Sequence, residues 1–328
     1  MKKNDAYSHY WNKIDSLENL GLPRTALKLV DEVFTLAQKE KNQDQLVKAL
    51  IYTMKFEYAF NPDHYKKQIN RLEEFHKTAG KHVKPLIHSM LGEMYRQYFQ
   101  NNRWKYYNRT QTKDFEPNDI DTWDLDKLLS TAREHYLTSI SSSQIAKDIP
   151  LNNLYSEIIK TRPFQVKGVT LYDFMLSRAL DFFTSEESSI TRPVQQFRMD
   201  NPDLFLPAHE FISKTFESPD STDHKYLSIS IFQKLLRNHS RDDNPEAFVT
   251  NDLQRLHYLS QYSVVSQKET RYIRALENLF NKYRNNPFLK NTVGSYLAEA
   301  YVLRVDQSPK NPQYAQDYIK AMEICKEW

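Results

Sequence analysis

Apolar residues recur at three-and-four spacing through most of this chain, a period that commits a polypeptide to amphipathic helices before any other feature is weighed. The pattern is densest over residues 82–108. There Val83, Leu86, Ile87, Met90, Leu91, Met94, Tyr95, Tyr98 and Phe99 share one stripe, and Glu93, Arg96 and Gln97 fall off it. One long helix is predicted there, with shorter ones near 6–20, 23–39 and 44–59 and a fourth carrying Tyr65, Ile69, Leu72 and Phe75. Gly21-Leu22-Pro23 is a stop followed by a start, because Gly suits the position just past a helix and Pro the first helical turn. The first two helices should therefore form a tight antiparallel hairpin.

Only five glycines occur in 328 residues, and no two are close enough for a GxGxxG turn, a P-loop or a GxSxG elbow. Hairpin-rich β architectures lose their usual turns for the same reason. The net charge of +3 sets up no global field for nucleic acid or anionic membrane. No run approaches the ~18 apolar residues of a transmembrane helix. The N-terminus has no apolar stretch of the signal-peptide kind, and Trp328 falls inside a helical pattern, which predicts a chain cut from a longer protein.

Beyond Asn108 the period loosens, resumes from Asp124 to about Ser139, weakens over 141–168 and returns over 171–183. It fades again where Pro193, Pro202, Pro207 and Pro219 cluster, then runs almost unbroken from Lys225. Two helical halves, 1–185 and 224–328, are predicted on either side of a Pro-rich irregular connection, 186–223, although one continuous domain also satisfies the pattern.

Pieces of a 34-residue tetratricopeptide-type period are visible. Leu91-Gly92 with Tyr95 matches the first helix of that repeat, where a small residue admits the partner helix. Ala275, Leu279 and Pro287 match a second helix and closing turn, and Leu297-Ala298 with Tyr301 the next first helix. The predicted fold is all-α: a tetratricopeptide-like α-solenoid of stacked antiparallel helix hairpins with irregular long connections.

Chemistry-bearing constellations are sparse. His76, His82 and His88 are spaced at six, not at the four that places two ligands on one helix face, and His209-Glu210 lacks a second histidine. Asp119, Asp121, Asp124 and Asp126 lack the Gly and terminal Glu of a calcium loop, so Asp124 is read as a helix cap and its neighbours as solvated. No metal or cofactor is expected. Cys325 lies on a stripe with Tyr314, Tyr318 and Ala321 and reads as an inert core thiol.

The strongest binding candidate is Arg103, Trp104, Lys105, Tyr106, Tyr107 and Arg109, cations interleaved with aromatics, with Trp123 nearby in sequence. The opposing reading, which the acidic residues just after the segment favour, packs Trp104 beneath the long loop. A dispersed catalytic site using carboxylates such as Glu134 or Asp181, and single-strand nucleic-acid binding through 103–109, rank below these.

Several phrases resemble the N-terminal region of the large alpha-2-macroglobulin-like proteins of Bacteroidetes: residues 10–18 with Gly21-Leu22-Pro23, Lys84-Pro85 leading to 91–95, 102–105, 122–125, 170–174 and 178–183. The resemblance implies helical repeats ahead of β-sandwich domains in an envelope protein that traps proteases. That family's Cys-Gly-Glu-Gln thioester is not matched by Cys325-Lys326-Glu327-Trp328, so no functional residue carries over. The expectation is a non-catalytic interaction module, extracytoplasmic, whose partner is a protein: its own downstream domains or another envelope protein. The alternative is a glycan-binding outer-membrane lipoprotein of helical-repeat type.

Overall fold

The first reversal of the chain is made by Gly21, whose φ of +69° is the left-handed conformation that glycine enters without a Cβ penalty. In the computed structural model α1 (Asn4–Asn19) ends there in a Schellman motif: Gly21 N–H donates to the Glu18 carbonyl and Leu22 N–H to that of Leu17. Pro23 then opens α2 (Pro23–Glu40). Its far end repeats the device without glycine. Lys41 takes φ 55°, Asn42 N–H reaches the Ala37 carbonyl, and the Asn42 side chain caps α3 (Gln43–Tyr58) by accepting from Gln45 N–H. One residue thus closes one helix and starts the next.

The structure describes residues 4–60, 64–107, 116–141, 146–147, 149, 169–191 and 195–326. Among them are thirteen α-helices and no β-strand. They divide into two compact units, the first through Thr191 and the second beyond it.

In the first unit α4 (His64–Thr78), α5 (Lys84–Tyr107), α6 (Leu125–Ser139) and α7 (Leu171–Phe183) follow α3, and successive helices pack side by side. Asp124 caps α6 by accepting from Lys127 N–H, as its position in the sequence predicts. Thr170 and Asp173 form a reciprocal capping box on α7. The core between α5, α6 and α7 seals tightly because Gly92 has no side chain: a Cβ there would lie 2.9 Å from the Tyr136 ring. The helix predicted over 82–108 is not continuous. Asn102 leaves helical geometry at φ −119°, and its side-chain amide donates to the Tyr98 carbonyl in competition with the backbone.

In the second unit α8 (Ala208–Phe211) precedes α9 (His224–His239), α10 (Glu246–Tyr262), α11 (Lys268–Lys282), α12 (Pro287–Gln307) and α13 (Asp317–Lys326). The described part of the predicted Pro-rich irregular connection divides between the two units. Residues 187–189 form a 3₁₀ turn of the first unit, whereas 195–223 belong to the second and bury Met199, Leu204, Phe205, Phe211 and Phe216. Arg255 fastens that segment. Fully buried, it pairs with Asp252 at 2.7 Å, donates to the Leu204 and Leu206 carbonyls, and lies 4.3 Å over the Phe211 ring.

Candidate functional site

The residues nominated from the sequence around α5 have separate fates. Trp104 is 70% exposed, so it is not packed beneath a loop. The kink at Asn102 turns the last helical turn, and Tyr106 takes the buried position against Phe99 instead. Arg103 covers the Phe99 ring at 5.6 Å, and the Lys105 amine stands 5.7 Å from the Trp104 ring. Tyr107 ends the helix, and Arg109 lies outside the described residues. Trp123 is core: it stacks on Tyr95 at 5.6 Å and donates its indole N–H to the Pro117 carbonyl. A cavity of about 680 Å³ opens beside this turn, lined among others by Tyr58, Tyr65, Lys66, Asn101, Lys105 and Asp121.

The acidic residues beyond the kink are not simply solvated. Lys66 reaches Asp119 at 2.5 Å and Asp121 at 3.2 Å, and the Tyr98 hydroxyl donates to Asp121. The Tyr98 hydrogen bond, opposed by burial and reinforced by Lys66, holds the Asp121 carboxyl below the usual range.

Two half-buried polar clusters in the first unit escape sequence reading. Glu93 accepts from the Tyr136 hydroxyl at 2.6 Å and from the Gln97 amide at 2.7 Å, with Arg178 3.9 Å away. Burial pushes its carboxyl up, but Arg178, Tyr136, Gln97 and Arg96 outweigh burial and bring it down. Asp181 is exposed on α7, in the field of Arg96, Arg178 and Glu93. Glu134 is exposed on α6.

The second cluster joins His76, His88 and His135 from α4, α5 and α6. The His88 and His135 Nδ1 atoms are 2.9 Å apart, and the His76 and His88 rings 4.4 Å. Burial and the neighbouring imidazoles depress His88 and His135 to about 4. His82, the middle member of the sequence trio, lies instead beside Gly80. Among the described residues no set of three or more His, Cys, Asp or Glu side chains is arranged to hold a metal ion.

The repeat-like residues are mostly packing. Leu91, Gly92, Tyr95, Leu297, Ala298 and Tyr301 are buried, and Pro287 opens α12 behind the Asn286 cap. Ala275 and Leu279 differ: both are half-buried and line a groove of about 550 Å³ along α11. Phe205, Leu206, Ala208 and Phe248 give this groove an apolar lining, and Arg271, Arg274 and Lys282 stand along α11. Its continuity depends on the Pro-rich segment, whose place Arg255 fixes. The sequence does carry a signal for Arg255: it lies at helical spacing with Phe248, Asp252 and Leu259, a cation and an acid on an apolar face.

Cys325 is exposed, not core. The buried stripe of α13 is Asp317, Ala321 and Ile324, one position away, and one position is about 100° around a helix.

The fold and these sites define an all-α protein with a groove in its second unit. No family model matches the chain, and neither a curated protein nor a solved structure does. Among the described residues no helix is long and apolar enough to cross a membrane.

Proposed function

We propose that this chain is a non-catalytic protein-interaction module, built as a tetratricopeptide-like α-solenoid. The supporting observation is the groove along α11. Stacked helical hairpins cover one another's apolar faces, and a face left uncovered is a docking surface. Ala275 and Leu279 occupy positions that the repeat pattern assigns to packed contacts, yet here they border an open, apolar-lined channel. The resemblance in the sequence extends the reading to the leading part of an extracytoplasmic alpha-2-macroglobulin-like protein, with its own downstream domains or another envelope protein as the partner.

Two experiments test this. A photo-crosslinking residue placed at Asn278, on the groove wall, should join the chain to a discrete partner in source cells; crosslinks no more frequent than from an exposed position such as Lys39 would remove the docking reading. An immunoblot of fractionated cells should show an envelope polypeptide far larger than 328 residues, and a band at the size of this chain alone would remove the macroglobulin extension.

The cavity beside α5 favours a second reading, glycan binding. Exposed Tyr58, the Asn101 and Asn102 amides and the Asp121 carboxylate supply the stacking face and planar polar groups that sugars engage. Saccharide-dependent thermal stabilisation, lost in Tyr58→Ala, is its expected outcome. A saccharide panel without any shift would dismiss it.

A further inference from the structure

The groove along α11 is unusual in its charge. Arg274 and Lys282 are exposed, and among the described residues neither meets a carboxylate; Lys282 stands 5.2 Å over its neighbour Tyr283. Arg271 spends one donor on the Ser266 carbonyl at 3.1 Å. Among the described residues the only acid lining the groove is Asp252, 2% exposed and held by Arg255. The cavity on the opposite flank of α11, about 430 Å³, makes the contrast: Glu269 and Glu299 line it beside Lys268 and Arg304, and Arg304 is paired with Asp317. One cavity presents exposed carboxylates, and the other, among the described residues, carries three cations with no accessible anion.

Spacing narrows the occupant further. Arg274 and Lys282 are eight residues apart on one helix, so about 12 Å along its axis. An extended segment matches that span. It rises about 3.3 Å per residue with alternate side chains on one face, so carboxylates four residues apart stand ~13 Å apart and the residue midway points the same way. That midway side chain would face Leu279 and Ala275.

We infer that the groove binds an extended acidic peptide segment of a partner protein, with two carboxylates four residues apart engaging Arg274 and Lys282 and an apolar residue between them seated on Leu279 and Ala275. This rests on the reading of the chain as an interaction module and names what that module recognises.

The test is fluorescence anisotropy with three fluorescein-labelled seven-residue peptides built on a glutamate–serine–leucine–serine–glutamate core, the second carrying lysines and the third glutamines in place of the glutamates. The glutamate peptide should bind at least tenfold more tightly than the other two, and at least tenfold more weakly in 0.5 M than in 0.05 M salt. Arg274→Glu, at an exposed position where folding is not at stake, should abolish that preference and admit the lysine peptide. Leu279→Glu should weaken the glutamate peptide as well. Equal binding of all three peptides, indifference to Arg274→Glu, or no binding by the glutamate peptide each overturns the inference. The Asn278 crosslink separates the two levels: a partner captured there while the acidic peptide fails sinks the acidic occupant alone, and absence of both sinks the interaction reading with it.

Discussion

The contact of α5 with α6 and the flank of α11 are built from the same amphipathic material and reach opposite ends. At Gly92 the missing side chain lets the Tyr136 ring close on the backbone, and Glu93, Arg96 and Arg178 are drawn into a shared polar cluster beside it. Along α11 the Pro-rich segment is held by Arg255 at a distance that leaves Ala275 and Leu279 half-covered, and among the described residues the cations there face no accessible acid. These helices are closed by the smallest residue between them and propped open by the most firmly tied connection.

Four perturbations probe this contrast. Arg255→Met should cost most, about 3–5 kcal/mol by chemical denaturation, since it strands a buried Asp252 carboxylate and two backbone carbonyls. A loss below ~1 kcal/mol would mean the segment is not held by this residue. Next is Gly92→Ala. Helix propensity alone would favour it by about 1 kcal/mol, but the clash with Tyr136 should outweigh this and leave a net loss of about 1–2 kcal/mol. A stabilised variant would refute the close approach.

Acid should then single out the first unit. His88 and His135 have folded pKa values of about 4, below the unfolded value near 6.5, so the unfolded chain binds more protons between those limits. Their stabilising contribution is complete above pH 6.5 and is lost as pH falls toward 4. For a half-buried, mutually coupled pair the combined loss should be about 2 kcal/mol. Melting followed by fluorescence between pH 7 and 4.5 should show it, and His135→Phe should flatten the dependence; an unchanged slope in that variant would assign it elsewhere. The smallest effect is expected at Trp104. Exposed as it is, Trp104→Ala should change stability by less than about 0.5 kcal/mol, and a larger loss would restore the packed reading of that side chain.

Much of the fold was legible because helix formation is local. The stripe over 82–108, the Gly21 reversal and the Asp124 cap each depend on residues within a turn or two. Gly92 was legible too, since a small residue on an apolar stripe has few other uses. The site was far less so. Trp104 faces outward because one amide at Asn102 diverts the helix, and Cys325 faces outward because its stripe is turned by one position. His135 carries no spacing relation to His76 or His88 and joins them only once three helices have packed. Whether Ala275 and Leu279 meet a neighbour or a channel is set by a segment some seventy residues earlier in the chain.

Asn42 sets a different kind of limit. Because it ends α2 and caps α3 at once, nothing between those helices can absorb a change in length. One inserted residue would rotate the stripe of Leu46, Leu50 and Phe56 by about 100°, away from the face it now covers. The connection therefore acts as a gauge on the hairpin. Drift in this part of the chain should proceed by substitution, with insertions and deletions excluded from it.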